Sequence, residues 1–363
     1  MQDLHSINTH RPPGRYHHPL NPLNLLNPLN PHAAGVSNGD TTTLSPVGAV
    51  KLKNPPAKGR LNFRTFCAQR ALNPLNPGHA AALWAQPPIY RKEPIMKLGL
   101  LGEVLGHSLS PVIHEKLFQK LGISSTYELI EIPKDTLQKD LPALLASYDG
   151  LNVTIPYKVE VIPFLDELSK EAETIGAVNT IARKNGKLLG FNTDYTGFAR
   201  TLSRIGCDVK GKRAVVLGHG GASRAIIQCL FDKGAGEIHV ISRHPEKVGK
   251  DFLSFAEKRK VLIQGYDSLS AGRDNYLLVN ATPVGMYPKT GVSPISETMA
   301  ASFAKVVDII YNPAETKLLQ DARGDASNGM YMLVMQAMAA EEIWMERDIP
   351  EEIVMEIVEE MTE

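Results

Sequence analysis

The chain has 363 residues, 43% of them hydrophobic and 21% charged, with 39 Lys/Arg balancing 39 Asp/Glu. That length suits two domains of ordinary globular composition, and no run of about eighteen apolar residues offers a membrane-spanning helix. The neutral total hides an asymmetry: residues 1–95 hold ten basic and three acidic side chains, so the remainder is acidic and gives no support to nucleic-acid binding.

Residues 1–95 differ in kind from the rest of the chain. Leu20-Asn21-Pro22-Leu23-Asn24 is echoed from Leu26 to Pro31 and again from Leu72 to Pro77. Asn-Pro repeats oppose helix and strand alike and bury little, so this stretch is expected to be disordered. It could be a basic arm for an acidic partner or a targeting peptide, although it lacks the apolar core of a secretory signal. The preferred expectation is that it lies outside the working protein, which starts at Met96. Cys67, Cys207 and Cys229 have neither CxxC nor metal spacing. They suit free thiols in a reducing cytoplasm, and no metal site is expected.

From Met96 the pattern becomes regular. Lys97–Gly102 reads as a buried strand. His107-Ser108-Leu109-Ser110-Pro111 then opens a helix to about Gly122, with Ser110 as N-cap and Pro111 in first position. A helix N-terminus flanked by two hydroxyls suits a carboxylate, though both serines could simply cap. Tyr127–Ile132 is the next strand, followed by a helix through Leu144 and Leu145.

Gly150–Lys158 is the central stretch. Leu151, Val153 and Ile155 alternate with Asn152 and Thr154, and Pro156 ends strand pairing because it lacks an N–H. Lys158 is thereby delivered to a strand end, where open α/β sheets bind ligands. The plainer alternative is a solvated lysine after a loop. Ile175–Ile181 reads as a strand with Asn179 polar inside it, which alone suits a structural amide. Asp194 follows another strand, ending Gly190-Phe191-Asn192-Thr193, and precedes a helix from Tyr195. It could cap that helix, face a ligand, or do both.

Arg213–Leu217, the turn Gly218-His219-Gly220-Gly221-Ala222-Ser223-Arg224, a helix Ala225–Lys233 and a strand Glu237–Ile241 form a βαβ unit. In that context a glycine-rich turn predicts dinucleotide binding through Gly218, Gly220, Gly221 and Ala222. An acidic residue after the returning strand would suit NAD. Ser242-Arg243-His244 and Lys247 offer a hydroxyl and cations instead, which favours the 2′-phosphate of NADP. Leu277–Asn280 and Val306–Tyr311 are further strands, an apolar helix starts at Gly329-Met330, and a last helix follows Pro350.

Taken together, these motifs resemble shikimate dehydrogenase from Met96 to the C-terminus. The resemblance rests on His107–Pro111, Asn152–Lys158, Gly176–Thr180, Asn192–Asp194, Gly218–Ala222 and Asn280–Thr282, in the family's order. It implies reversible, NADP-linked interconversion of 3-dehydroshikimate and shikimate, a step of chorismate and aromatic amino acid biosynthesis. By the family's pattern, Ser108 and Ser110 hold the substrate carboxylate, and Thr154, Asn179 and Gln336 hold ring hydroxyls. Lys158 and Asp194 form the catalytic pair, Tyr311 lies beside nicotinamide and substrate, and Ile309 and Gly329 join the cofactor side. The bottom-up argument agrees: a developing alkoxide needs an adjacent proton donor and positive charge.

The implied architecture is α/β: a substrate-binding domain (96–196), a Rossmann NADP domain (197–328), and C-terminal helices (329–363) returning to the first. His219, Ser242, His244 and Glu115 depart from the family's usual residues. The expected protein is a cytoplasmic monomer or homodimer without nucleic-acid, membrane or metal partners. Alternatives are a quinate/shikimate dehydrogenase using NAD, a non-catalytic metabolite sensor, and a scaffold acting through the basic arm.

Overall fold

The computed structural model describes residues 95–362 apart from His107 and Arg273, and these belong to one compact unit. The expected disorder of the N-terminal stretch, Cys67 and His107 fall outside the described residues. Cys207 and Cys229 are free and buried. No helix among the described residues is long and apolar enough to cross a membrane.

Two sheets organise the molecule. The first begins with β1 (Lys97–Gly102), buried from its second residue onward. The helix α1 (Ser110–Leu121) starts earlier than its sequence suggests: Leu109 is the N-cap residue, and Ser110 already lies in the first turn. The Ser108 hydroxyl instead accepts the Ser110 N–H at 3.2 Å, and proline is tolerated throughout a first turn whose N–H groups lack helical partners. Then come β2 (Thr126–Glu131), α2 (Leu137–Ser147), β3 (Gly150–Val153) and β4 (Glu167–Leu168).

Two expectations need correction here. Strand β3 stops at Val153, and Ile155 is 65% exposed rather than sharing the apolar side. Ile175 ends a short helix, α3 (Lys170–Ile175), instead of opening a strand, because Gly176 closes that helix at φ +70°. The hairpin β5 (Thr180–Lys184) and β6 (Lys187–Phe191) turns through Asn185-Gly186, both with positive φ. The resulting order is β2-β1-β3-β5-β6-β4, parallel from β2 to β3 and antiparallel through the hairpin.

After α4 (Thr193–Arg204), the second sheet is built from β7 (Arg213–Leu217), α5 (Ser223–Asp232), β8 (Glu237–Ile241), α6 (Lys250–Glu257), β9 (Leu262–Gln264) and β10 (Asn275–Asn280). It is completed by α7 (Glu297–Ala300), β11 (Lys305–Asp308), α8 (Lys317–Asp321) and β12 (Asp325–Ser327). All its pairings are parallel, in the order β12-β11-β10-β7-β8-β9. That is the doubly wound order, whose switch point lies between β7 and β10.

The C-terminal helices α9 (Met330–Met345) and α10 (Glu351–Glu360) return to the first sheet's side. Met330, Val334 and Met338 of α9 share a core with Ile113 and Leu117 of α1 and Val354 and Ile357 of α10. The Trp344 indole donates to the Ile181 carbonyl at 2.9 Å and lies directly over Gly150.

A Cβ on Gly150 would overlap that indole, and neither β3 nor α9 has room to retreat from a close-packed core. Gly150→Ala is expected to cost about 1–3 kcal/mol, read as a lowered Tm in thermal denaturation. An unchanged Tm would show that the indole is free to move.

Candidate active site

The turn after β3 carries Lys158. Tyr157 anchors it: its ring is fully buried and its hydroxyl donates to the Ile132 carbonyl. The Lys158 carbonyl accepts the Val178 N–H at 2.7 Å, which ties this turn to the segment leading into β5. The Lys158 ammonium thereby reaches Asp194 Oδ2 at 2.6 Å, and the two side chains are only 16% and 13% exposed.

Asp194 is not the helix cap. Asn192 is, its Oδ1 accepting the Tyr195 N–H at 3.3 Å, and Asp194 lies within the first turn of α4. That leaves its carboxylate unspent on capping, in a position where the helix dipole favours negative charge. The second oxygen, Oδ1, accepts from Asn179 Nδ2 at 3.0 Å. The orientation of the Asn179 amide is unambiguous, because its oxygen accepts the backbone N–H of Thr193 at 2.6 Å. Lys158, Asp194 and Asn179 therefore form one cluster drawn from three segments.

The other substrate-side candidates surround it. Ser108 and Ser110 are joined by the bond at the start of α1. Thr154 follows β3, with its N–H on the Leu101 carbonyl. Gln336 lies on α9 where that helix meets Gly197 of α4, one turn beyond Asp194, and its Nε2 donates to the Leu333 carbonyl. Tyr311, from the second sheet's loops, packs on the core shared by α1 and α9, so it reaches the first sheet's side.

The cofactor candidates follow the ends of several strands of the second sheet, and the glycine turn after β7 lies beside the switch point. Gly218 adopts φ +91°, and a Cβ there would come within 2.8 Å of Thr282. The Ser223 hydroxyl donates to the Gly218 carbonyl at 3.0 Å and closes the turn. Above Gly220 there is open space, and the N-terminus of α5, beginning after Ala222, has no side-chain cap. This cradle fits a pyrophosphate: uncapped N–H groups face a space that a larger side chain would fill. Ser242 is buried at the end of β8, its hydroxyl accepting the His244 N–H, whereas Arg243, His244 and Lys247 are exposed around it. Gly329 lies so close to the Ile309 carbonyl that a Cβ would overlap it. The two halves of the site meet at Gly221, where a Cβ would lie 3.5 Å from Ile155.

Sequence reasoning passed over Asp308. It ends β11 earlier than expected, because its Oδ1 accepts the Ile310 N–H at 3.1 Å and turns the chain. The same carboxylate accepts from Asn280 Nδ2 at 3.0 Å and from the Thr316 hydroxyl at 2.7 Å, so it ties the loops carrying Thr282 and Tyr311 together. It is fully buried, and burial pushes its pKa up to about 6 while those three donors work against the rise.

The family model for the shikimate dehydrogenase substrate binding domain matches residues 100–181. A shikimate dehydrogenase (NADP(+)) of Clostridium perfringens is 44% identical over 254 residues, covering 69% of this chain and 92% of that protein. A crystal structure of a chorismate mutase/shikimate 5-dehydrogenase fusion protein from Clostridium acetobutylicum superposes with a TM-score of 0.68 at 45% identity, covering 74% of this chain and 97% of that one. The Thermus thermophilus shikimate 5-dehydrogenase in complex with NADP(H) and shikimate gives 0.64 at 32% identity, covering 74% and 100%.

The raised pKa of Asp308 carries a stability consequence. The folded protein holds this proton more tightly than the unfolded chain, so stability falls as pH rises from the ordinary value of 3.8 to about 6 and is level above that. The penalty is on the order of 3 kcal/mol at neutral pH. Asp308→Asn, whose Nδ2 can donate to Thr316, is expected to raise Tm at pH 8, with the gain vanishing near pH 4. A gain independent of pH would refute this account.

Proposed function

The chain belongs to the shikimate dehydrogenase family, and from that premise we propose which residues carry the reaction. The protein is an NADP-dependent oxidoreductase acting on a CH–OH group, interconverting 3-dehydroshikimate and shikimate. The observation that supports the residue assignment best is the 2.6 Å contact of Lys158 with Asp194, shielded from water and braced by Asn179.

NADP, when bound, accepts or donates the hydride. The backbone N–H groups of Gly220, Gly221 and Ala222 would hold its pyrophosphate, with Gly218 shaping the turn. Ser242, Arg243, His244 and Lys247 would hold the 2′-phosphate, and Ile309 and Gly329 the nicotinamide end. In reduction, negative charge grows on the substrate's ketone oxygen. The Lys158 ammonium stabilises that charge and transfers a proton to it. In oxidation the same nitrogen takes the proton back. Asp194 orients the ammonium and, through it, the reacting hydroxyl. Ser108 and Ser110 anchor the carboxylate, Thr154, Asn179 and Gln336 the ring hydroxyls, and Tyr311 packs beside the substrate.

We also assign residues 96–196 to substrate binding, 197–328 to NADP binding and 329–363 to the returning helices. The working protein is a cytoplasmic monomer or homodimer without a nucleic-acid partner.

The test is steady-state oxidation of shikimate and quinate, each with NADP+ and NAD+, by the full chain and by protein begun at Met96. Fast turnover of shikimate with NADP+ alone, equal in both proteins, is expected. Comparable rates with quinate or NAD+ would move the activity to the broader class, and a folded but inactive protein would overturn the assignment.

Lys158→Ala is expected to lower kcat by about 10²–10⁴-fold, with a smaller change in the KM for shikimate. Arg243→Ala should raise the KM for NADP+ by about 10-fold or more and leave that for shikimate unchanged. Stopped-flow or steady-state absorbance at the reduced-nicotinamide band reads both.

A further inference from the structure

Behind the Lys158–Asp194 pair, hydrogen bonds continue into the lobe. Asn179 Oδ1, besides the Thr193 N–H, accepts the Thr180 hydroxyl at 3.1 Å. Thr180 Oγ1 in turn accepts from Asn152 Nδ2 at 3.1 Å, and the same amide nitrogen lies 3.3 Å from the Asn179 carbonyl. A backbone carbonyl can only accept, so the Asn152 amide has its nitrogen there and its oxygen on the far side. Among the described residues, that oxygen has one donor, the Tyr127 hydroxyl at 2.7 Å. The donors Tyr127, Asn152 and Thr180 therefore run towards Asn179, whose amide nitrogen divides its two protons between Asp194 and the Thr193 hydroxyl.

Tyr127 is itself held on its ring face. The His114 imidazole stacks on it at 3.9 Å with planes 10° apart, and Phe118 and Trp344 enclose the imidazole. His114 Nδ1 contacts Glu341 Oε1 at 2.6 Å, with both side chains fully buried. Burial raises the Tyr127 phenol well above its ordinary pKa, the Glu341 charge adds to this, and a hydrogen bond from Ser110 opposes it. The phenol thus remains a donor to Asn152 while its oxygen faces the serine assigned to the substrate carboxylate.

We propose that Tyr127 is a positioning residue for the dehydrogenase reaction, fixing through Asn152 and Thr180 the Asn179 amide that braces Asp194. The proposal rests on the shikimate dehydrogenase reading. Without the hydroxyl, Asn152 Oδ1 is a buried acceptor that has lost its donor among the described residues, and it rotates to find another. The chain behind Asn179 then loses its direction, and the reacting groups lose their register.

The experiment compares wild type, Tyr127→Phe, Thr180→Val and the double variant in kcat, in KM for shikimate and NADP+, and in Tm. Tyr148→Phe, whose hydroxyl donates to Glu128 at the edge of the sheet, serves as control and should leave kcat unchanged. Tyr127→Phe keeps the ring on His114, so Tm should fall little while kcat falls about 10- to 100-fold, with KM for NADP+ unchanged. Because the residues act as one chain, the double variant should lose no more than the worse single variant. A kcat within twofold of wild type for Tyr127→Phe, or losses that multiply in the double variant, would overturn the proposal with the enzyme reading intact. An inactive wild type would overturn both.

Discussion

The ion pair of Lys158 and Asp194 is the constraint on which the first lobe depends. Two charges with so little access to water are stable only together and only when their remaining hydrogen-bonding capacity is met. Asn179 meets part of it, and Asn179 can do so only because Thr193 and Thr180 fix its amide. The pair also has to be assembled from a turn after β3, the residue before β5 and the first turn of α4. Antiparallel pairing of β3 with β5 brings the first two together, and the Asn192 cap sets the third. The hairpin interrupting an otherwise parallel sheet is thus what makes the cluster geometrically available.

A second constraint is the joint between the two sheets. Helix α4 leaves the first sheet and packs on α9, which belongs to the same core as α1. On the other side, buried Arg259 donates to the Thr174 carbonyl at 2.8 Å, across to α3, and to the Phe255 carbonyl within its own lobe. Its guanidinium also lies 3.7 Å over the Phe255 ring. Arginine suits this role because its rigid fork of donors can serve several acceptors while its face rests on an aromatic ring. The joint is polar as well as apolar, so the relative placement of the lobes is fixed by directional bonds in addition to burial.

Much of this was legible in the sequence, and the failures have physical causes. β1, β7 and β8 were readable to the residue because strands buried on both faces are continuous apolar runs. The stretch around Ile175 was misread because a short buried helix gives the same run, and only Gly176 distinguishes them. The caps at Ser110 and Asp194 were misplaced by one or two residues: α1 has Leu109 as its N-cap residue and no side-chain cap, and at α4 Asn192 caps in place of the nearby Asp194. The Asn185-Gly186 hairpin was signalled locally and passed over. The His114–Glu341 contact joins residues 227 apart in the chain, and no local pattern records such a pairing. Asp308 was hidden differently: it reads as one residue inside the strand Val306–Tyr311, and only its burial reveals the cost of its charge.

The two proposed halves of the site discriminate by different physics. The substrate side is built from partly or fully buried donors and acceptors whose orientations are set by their neighbours. A ligand lacking a hydroxyl there leaves a buried polar group unpaired, which rejects analogues by about 10⁴–10⁵-fold in favourable cases. The proposed 2′-phosphate side consists of Arg243, His244 and Lys247, all exposed, with Ser242 buried among them. Exposed charges are screened by salt, so what each contributes depends on ionic strength. On the proposed assignment, selectivity for substrate would come from rigidity and be insensitive to ionic strength, whereas selectivity for the phosphorylated cofactor would come from summed charge and weaken as salt rises. The departures from the family's usual residues at Ser242 and His244 fall on the side where, under that proposal, charge rather than exact geometry would do the discriminating.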